Sequence, residues 1–525
     1  MKHLYPNTAT ETESLIELIE KNSPKVMEII KEYIDNHDTS KMDEGVRYYF
    51  NESDIVDRQI YKYENDTKVA DPDATNNKLP TGWHKTLVDQ KISYLAGKPI
   101  TIKSKDNEDP ALEAINDILD DDFNDTLPEL VKHASNKGIE WLHVYVNEYG
   151  KLDYIIVPAQ EFIPVYDNTK RKNLIAGIRY YELDDDTVKI ELWDDQQVTF
   201  YEESEDGIVI DSSYEVNPQS HFYYNDQGYG WSTDEKSAIP FIGFRNNEEA
   251  VSDLTFYKRL IDVFEKIFSD AANNIEDIQK VIYILKGYDG TNLEEFVTQL
   301  KRYRAVKTNS RDGAGVDIKQ GDVPITATDS VLDRLTEQIY QAGQGVNIST
   351  DKFGGNPSGV SLQFLYSFLD MKADVMERKF SKALKQLMWF VCEYLSITQR
   401  TEIDYKNYSF TFNKSMITNV TEQVNNVINS MGYLSDETAL SNHPWVKDVQ
   451  QEMERKRQDE ERLGDKQESL GGDDDEGMGG KLSQSDDSGS SKEDKCPDCS
   501  GRGKVAGKRE DYVICQRCGG DGIIS

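Results

Sequence analysis

The stretch SLQFLYSFLDMKADVMERKFSKALKQLMWFVCEYLS, residues 361–396, decides the fold. Leu362, Leu365, Phe368, Leu369, Met376, Phe380, Leu384, Leu387 and Val391 fall at helical spacing, which predicts one helix of roughly ten turns. Such a helix must cross a large structure. On its N-terminal side, Thr350-Asp351-Lys352-Phe353-Gly354-Gly355-Asn356-Pro357-Ser358-Gly359 carries turn residues at nearly every position and is expected to be a mobile loop. Before the loop, Leu332, Leu335, Ile339 and Ala342 form a stripe. That helix is expected to be capped by Asp329 or Ser330 and weakened by Gly343 and Gly345.

Further back, Leu260, Phe264, Ile267, Ala271, Ile275 and Ile278 recur at steps of three and four across residues 252–279, predicting a second long helix. Between the two helices lies a compact insert. It has a strand-like run from Val281 to Leu285, a short helical pattern around Leu293 to Leu300, and a Gly-rich hairpin at Asp312-Gly313-Ala314-Gly315. From Ile139 to Phe244 the period changes to two: 141–146, 154–157, 175–183, 187–193 and 198–201 read as strands. The acidic turns between them suggest antiparallel hairpins. TGWHKTLVDQKISYLAG, residues 81–97, puts Leu87, Ile92 and Leu95 on a helical stripe that ends at Gly97-Lys98-Pro99. Residues 11–50 read as short amphipathic helices. The fold class is therefore α+β.

Beyond the long helix, a short strand pair is expected around Ile403 to Phe412, then helices from Val420 to Leu434 and from Trp445 to Leu463. Residues 464–494 hold Gly, Ser, Asp and Glu with almost nothing to bury. No packing would compensate their ordering entropy, and a disordered linker is predicted. It leads to Cys496-Pro497-Asp498-Cys499 and Cys515-Gln516-Arg517-Cys518, each continuing as CxxCxGxG. Two CxxC pairs at this separation suit tetrahedral zinc, with Cys496, Cys499, Cys515 and Cys518 as ligands. The glycines permit tight turns beneath the ion. The fifth cysteine, Cys392, sits in an apolar helical stretch, so the set is no disulfide framework.

A formal charge of −36 in 525 residues argues against a tight, phosphate-neutralising duplex binder. Lys301, Arg302, Arg304, Lys307 and Arg311 nonetheless form a local basic patch. It suits DNA phosphates or an acidic partner, or is simply a solvated face. No GxxxxGK[ST] loop is present to cradle nucleotide phosphates, no HExxH occurs, and the seven histidines are dispersed; no nucleotide and no catalytic centre are expected. Asp120-Asp121-Asp122 reads as a solvated turn before it reads as a cation site. There is no apolar run of about 20 residues and no signal-peptide core, so the chain is expected to stay off membranes.

The order of these elements, with VDQKISYLAGKP (88–99), IVPAQEFIPVYD (156–167) and NPSGVSL (356–362), resembles the portal proteins of tailed bacteriophages with long non-contractile tails, of the Gram-positive phage type. The resemblance covers about Thr81 to Leu395. It implies a wing (helical over 1–100, β-rich over 101–245), a first stem helix (246–279), a clip (280–327), a second stem helix (328–345) and a tunnel loop (346–360). A spanning helix (361–401) and a crown (402–463) follow, before the linker (464–494) and the zinc-binding module (495–525). It further implies a ring, typically a homododecamer, at one capsid vertex of the virion, assembled in the host bacterial cytoplasm. Its partners would be capsid and scaffold proteins, the terminase packaging motor, a head–tail adaptor and double-stranded DNA in the channel. Lys352, Phe353 and Asn356 would be the loop residues nearest that DNA; without the ring, a plain solvent loop reads equally well. The CxxCxGxG repeat is similar to the zinc module of J-domain co-chaperones, at half its usual size and without any His-Pro-Asp tripeptide. A chaperone-like or adaptor protein built on that module is the alternative reading.

Overall fold

A computed structural model describes residues 25–106, 109–167, 173–204, 207–225, 227–231, 238–278, 282–286, 315–319, 325–347, 359–415, 420–446 and 449–468, together with four short strands between 494 and 524. The chain divides into two compact units, 1–426 and 427–525.

In the first unit, α1 (Lys25–Asp35) buries Val26, Ile30 and Tyr33, three residues spaced to share one helical face. After α2 (Ser40–Tyr49), β1 (Tyr61–Glu64) and β2 (Thr67–Ala70) pair through Asn65-Asp66. Both turn residues have positive φ (47° and 64°), as a two-residue hairpin turn requires. Helix α3 (Trp83–Ala96) ends where Gly97-Lys98-Pro99 predicts. Then come β3 (Thr101–Ser104), α4 (Ala111–Ile118) and α5 (Asp121–Lys137). The acidic run 120–122 is the start of α5: the Asp120 carboxylate accepts from the Asp122 backbone N–H at 3.0 Å. Negative charge favours a helix N-terminus, so the run is a cap, not a turn.

The period-two region forms two antiparallel sheets. β4 (Ile139–Val146) lies between β5 (Leu152–Val157) and β14 (Phe241–Arg245). β6 (Phe162–Tyr166), β7 (Leu174–Glu182), β8 (Val188–Trp193), β9 (Gln197–Ser204) and β10 (Gly207–Ile210) pair in sequence, each hairpin beside the last. β11 (Gln219–Ser220) adds to β9, and β12 (Phe222–Tyr224) pairs with β13 (Gln227–Tyr229). One hydrophobic core sets α1 on the larger sheet through Ile30, Ile178 and Ile190.

The predicted long helices are α6 (Leu254–Ile278), α7 (Ile325–Gly343) and α8 (Gly359–Gln399). At 41 residues α8 makes about eleven turns, and it forms the second core with α3, α5, β4 and β14: Phe244 of β14 meets Phe380 edge-to-face at 5.0 Å. A third, small core joins α3, α6 and α7 through Leu87, Leu254, Tyr257, Ile261 and Ile339. Among the described residues of the insert, β15 (Ile282–Lys286) and β16 (Gly315–Lys319) are antiparallel, so Gly315 opens a strand, whereas the sequence suggested a turn.

Three expectations need correction. Helix α7 begins at Ile325, one turn before the proposed cap, so Asp329 and Ser330 are interior. Around 403–412 there is one strand, β17 (Tyr408–Thr411), and its partner is β3, some three hundred residues earlier, a pairing that local pattern cannot reveal. After α9 (Val420–Ser430) and α10 (Asp436–Ser441), helix α11 (Val449–Glu468) runs past the linker's expected start at 464, its exposed face carrying Glu/Arg pairs at i,i+3 that support a helix in water. Within the second unit, Lys456 binds Asp436 at 2.6 Å, fixing α11 to α10.

Candidate functional site

Most of the residues proposed from sequence as contacts fall outside the described set: Lys352, Phe353 and Asn356 of the loop, the patch Lys301, Arg302, Arg304, Lys307 and Arg311, and Cys496, Cys499, Cys515 and Cys518. What is described is the structure that holds the loop at its N-terminal end.

That anchor is built on α3. Leu87, Lys91 and Leu95 share one face at steps of four, and Lys91 is fully buried in it. A buried ammonium is tolerated only when paired and hydrogen-bonded. Lys91 Nζ donates to Asn246 Oδ1 at 2.7 Å and to Asp253 Oδ2 at 2.7 Å. Asp253, just before α6, is bonded also by Lys372 of α8 at 2.9 Å and by Asn246 Nδ2 at 2.9 Å. Burial alone would push the Asp253 carboxyl up, but Lys372 and Lys91 outweigh it and hold it well below the usual carboxylate range. Burial draws Lys91 down to about 8 despite the neighbouring carboxylate. Two ammoniums share one carboxylate, and part of the remaining positive charge meets the last carbonyl of α7. Lys372 Nζ donates to Gly343 O at 2.9 Å, at the negative end of the helix dipole.

The chain leaving α7 is then clamped to α3. Gln90 Nε2 donates to Val346 O at 2.9 Å and Gln90 Oε1 accepts from Val346 N at 2.9 Å, so one side chain imitates a strand partner. Gly343 and Gly345 lie directly on Leu87: a Cβ at either would stand 2.5 and 2.3 Å from its methyl carbons. The two glycines the sequence marked as helix breakers are therefore also the point of closest approach to α3. Beside them His84, buried, pairs through Nδ1 with Tyr257 OH at 2.7 Å, and burial pushes its pKa down to about 4, so it is neutral.

A polar strap fixes α6 along most of its length. Asp262 accepts from Tyr48 OH at 2.5 Å; buried Glu265 accepts from Ser53 and, at 2.9 Å each, from the Thr81 N–H and hydroxyl. Ser269 Oγ accepts from Leu79 N at 3.1 Å, Asn273 from Asn77 N at 2.6 Å, and Asp277 from the Thr75 hydroxyl at 2.6 Å. The steps of three and four between these acceptors put them on one face of α6, and each bond contributes on the order of 1 kcal/mol. A different stripe of the helix, Phe256 and Val263, is exposed by 60% and 47%. Phe364, Phe368 and Met371 on the first turns of α8 are exposed as well, at 75%, 49% and 50%. Both helices thus leave large apolar side chains at the surface of the single chain.

Among the described residues no group of three or more His, Cys, Asp or Glu side chains could hold a metal ion, and no helix is long and apolar enough to cross a membrane. From sequence, Gln90 and Lys91 belong to VDQKISYLAGKP with no role apparent for either. The available signal was a lysine standing between Leu87 and Leu95 on an apolar face. Asn246, Asp253 and Lys372 gave no comparable signal, because their meeting depends on three separate elements.

The chain matches the family described as phage portal protein, SPP1 Gp6-like, over residues 30–466. It is 38% identical over 492 residues to the portal protein of Bacillus phage SPP1, covering 90% of this chain and 96% of that one. It is 31% identical over 430 residues to the portal protein of Clostridium phage phiCD119, covering 77% of this chain and 89% of that one.

Proposed function

Because this chain belongs to the phage portal protein family, SPP1 Gp6-like, we propose that it is a structural subunit of the capsid vertex through which the viral genome is packaged and released. The observation that carries this is the extent of the likeness, which spans nearly the whole of the SPP1 protein at 38% identity. The subunit acts as one copy in a ring, a dodecamer, with double-stranded DNA passing through its centre. In this assignment α6 and α7 are the stem, residues 280–327 the clip, 346–360 the tunnel loop, α8 the spanning helix, 101–245 the wing and 402–463 the crown.

The physical chemistry supports that role. Phe256, Val263, Phe364, Phe368 and Met371 are apolar side chains left on a single copy, and a neighbouring copy would bury them. A net charge of −36 repels a phosphate backbone, which lets a duplex slide where a basic wall would grip it. Movement of DNA needs work, and that comes from a separate terminase ATPase; this subunit supplies the passage, the seat in the capsid and scaffold, and a clip surface for motor and head–tail adaptor in turn. In this reading Lys352, Phe353 and Asn356 reach toward the duplex, and Lys301, Arg302, Arg304, Lys307 and Arg311 belong to the clip. The chaperone-like alternative rests on residues beyond 466, outside the family match.

A nonsense mutation in the gene, in the phage that encodes it, tests the proposal. Heads without DNA, rescued by the protein supplied from a plasmid, are the expected result. DNA-filled heads in its absence would refute it.

A further inference from the structure

The cluster around Lys91 holds an amine, a primary amide and a carboxylate in mutual contact and shut off from water. Lys91 is fully buried, and Asn246 and Asp253 are each exposed by only 4%. Lys91 Nζ lies 2.7 Å from Asn246 Oδ1, and the amide carbon Cγ is one bond further on. Asp253 bridges the two groups. Its Oδ2 accepts from Lys91 Nζ at 2.7 Å and its Oδ1 accepts from Asn246 Nδ2 at 2.9 Å. The frame fixes all three. Asn246 follows β14, and its N–H donates to Gly138 O at 2.9 Å while Nδ2 donates also to Val251 O at 2.9 Å. The Asp253 N–H donates to Ser135 O at 2.9 Å, and Lys91 stands well inside α3. Groups held in this way have already lost the freedom that an encounter between separate reactants must surrender.

From this contact we propose that Lys91 and Asn246 of one chain join covalently, through an isopeptide bond between Nζ and Cγ, with Asp253 as the catalytic residue. Lys91 first gives up its ammonium proton to solvent, and burial has already drawn that proton's pKa down to about 8. The charged groups facing Lys91 are Asp253 and Lys372, and nearby His84 is neutral. Loss of the proton therefore leaves the Lys372–Asp253 pair and a cluster without net charge. The free amine attacks Asn246 Cγ and the C–N bond forms. Asp253 takes the proton that the attacking nitrogen sheds and returns it to Nδ2, the Cγ–Nδ2 bond breaks, and ammonia leaves. One amine and one primary amide give one secondary amide and one ammonia, with no change of oxidation state. Asp253 itself is the poorer target, because it is held as a carboxylate whose charge repels a nucleophile.

The bond joins residues 155 apart in sequence and ties α3 to the segment between β14 and α6. An ion pair there opens when acid or denaturant reaches it; an amide does not. The bond stands or falls independently of the portal reading. Lys91→Met and Asp253→Asn both lack it, so their stabilities relative to one another still report on the charges.

Intact-mass spectrometry of the full-length protein, as purified and after incubation at pH 9, tests this, with tryptic mapping alongside. A chain lighter than its sequence by one ammonia is expected, at the latest after the incubation. Trypsin does not cut at an acylated lysine, so residues 86–103 should appear joined to residues 246–258 as one branched peptide. Lys91→Met and Asn246→Ala should each keep their full sequence mass and run more slowly on a denaturing gel, since their 155-residue loop is open. A wild-type chain of full sequence mass after the incubation, yielding a peptide that ends at Lys91, would overturn the proposal. So would a chain lighter by one ammonia whose two peptides remain separate, because ring closure at any asparagine loses the same mass. The wild-type result does not depend on how well either variant folds.

Discussion

Lys91 Nζ lies 2.7 Å from Asp253 Oδ2 with both side chains buried, and the pair joins α3 to the start of α6 directly beneath the exit of α7. Lys372 brings α8 to the same carboxylate and reaches on to the last carbonyl of α7. One buried charge cluster thus gathers α3, α6, α7 and α8. Its members are charged in a packed interior, where apolar replacement of the whole cluster is often neutral but removal of one member leaves a buried charge uncompensated.

Removing the carboxylate is therefore expected to be far worse than removing one ammonium. Asp253→Asn leaves two buried ammoniums without their counter-charge and is expected to cost about 3–5 kcal/mol. Lys91→Met keeps the Lys372–Asp253 pair and is expected to cost clearly less. Urea unfolding of the unassembled subunit measures both; equal losses would show that Asp253 is not the hub.

Gly345 touches Leu87, and a methyl group there has no room. Gly345→Ala is expected to destabilise by about 1–3 kcal/mol, as overpacking does. Leu87→Ala in the same chain is expected to recover some of that loss, giving a non-additive double-mutant cycle. Strict additivity of the two losses would mean that the contact is absent.

Acid is expected to weaken the subunit before carboxylates titrate. Burial lowers His84 from 6.5 to about 4, so between those values the unfolded chain holds a proton that the folded chain refuses. Stability thus rises with pH across this window and falls on acidification by roughly 1.4 kcal/mol per pH unit for each such histidine. His143, lowered by burial to about 3, acts in the same sense. Unfolding measured at pH 6.5 and 4.5 should show a smaller difference in His84→Asn than in the parent; an unchanged difference would remove His84 from the account.

Phe256 stands 60% exposed on α6, away from the strap, so a charge there should leave the single subunit intact. Phe256→Asp is expected to change subunit stability by no more than about 0.5 kcal/mol while abolishing the ring. Native mass spectrometry beside thermal melting separates the two effects. A variant that still assembles would exclude this stripe from the interface between copies.

What was legible in the sequence was whatever a local period encodes. Leu260 to Ile278 and Leu362 to Val391 announced α6 and α8 almost to the residue, and alternation announced β4, β5, β7, β8 and β9 but not β6. What needed partners distant in sequence was not. β17 finds β3 across the chain, and Asn246, Asp253 and Lys372 acquire a purpose only when three elements meet Lys91. Helix α5 was missed because Asp120-Asp121-Asp122 looks like a solvated turn until a helix follows it, at which point the same charges are its cap. Lys91 is the instructive case: an ammonium between Leu87 and Leu95 conflicts with its own helix face, and that conflict marked the junction.

The central claim is that copies of this chain form a ring around an open channel, with α6 and α7 beside the bore. Electron cryo-microscopy of the purified full-length protein tests it most directly. The account predicts a closed ring of about a dozen subunits, with the stripe of Phe256 and Val263 covered by a neighbouring copy and residues 348–358 entering the lumen. A protein that remains monomeric or dimeric across salt conditions, or a ring in which that stripe faces solvent, would contradict it.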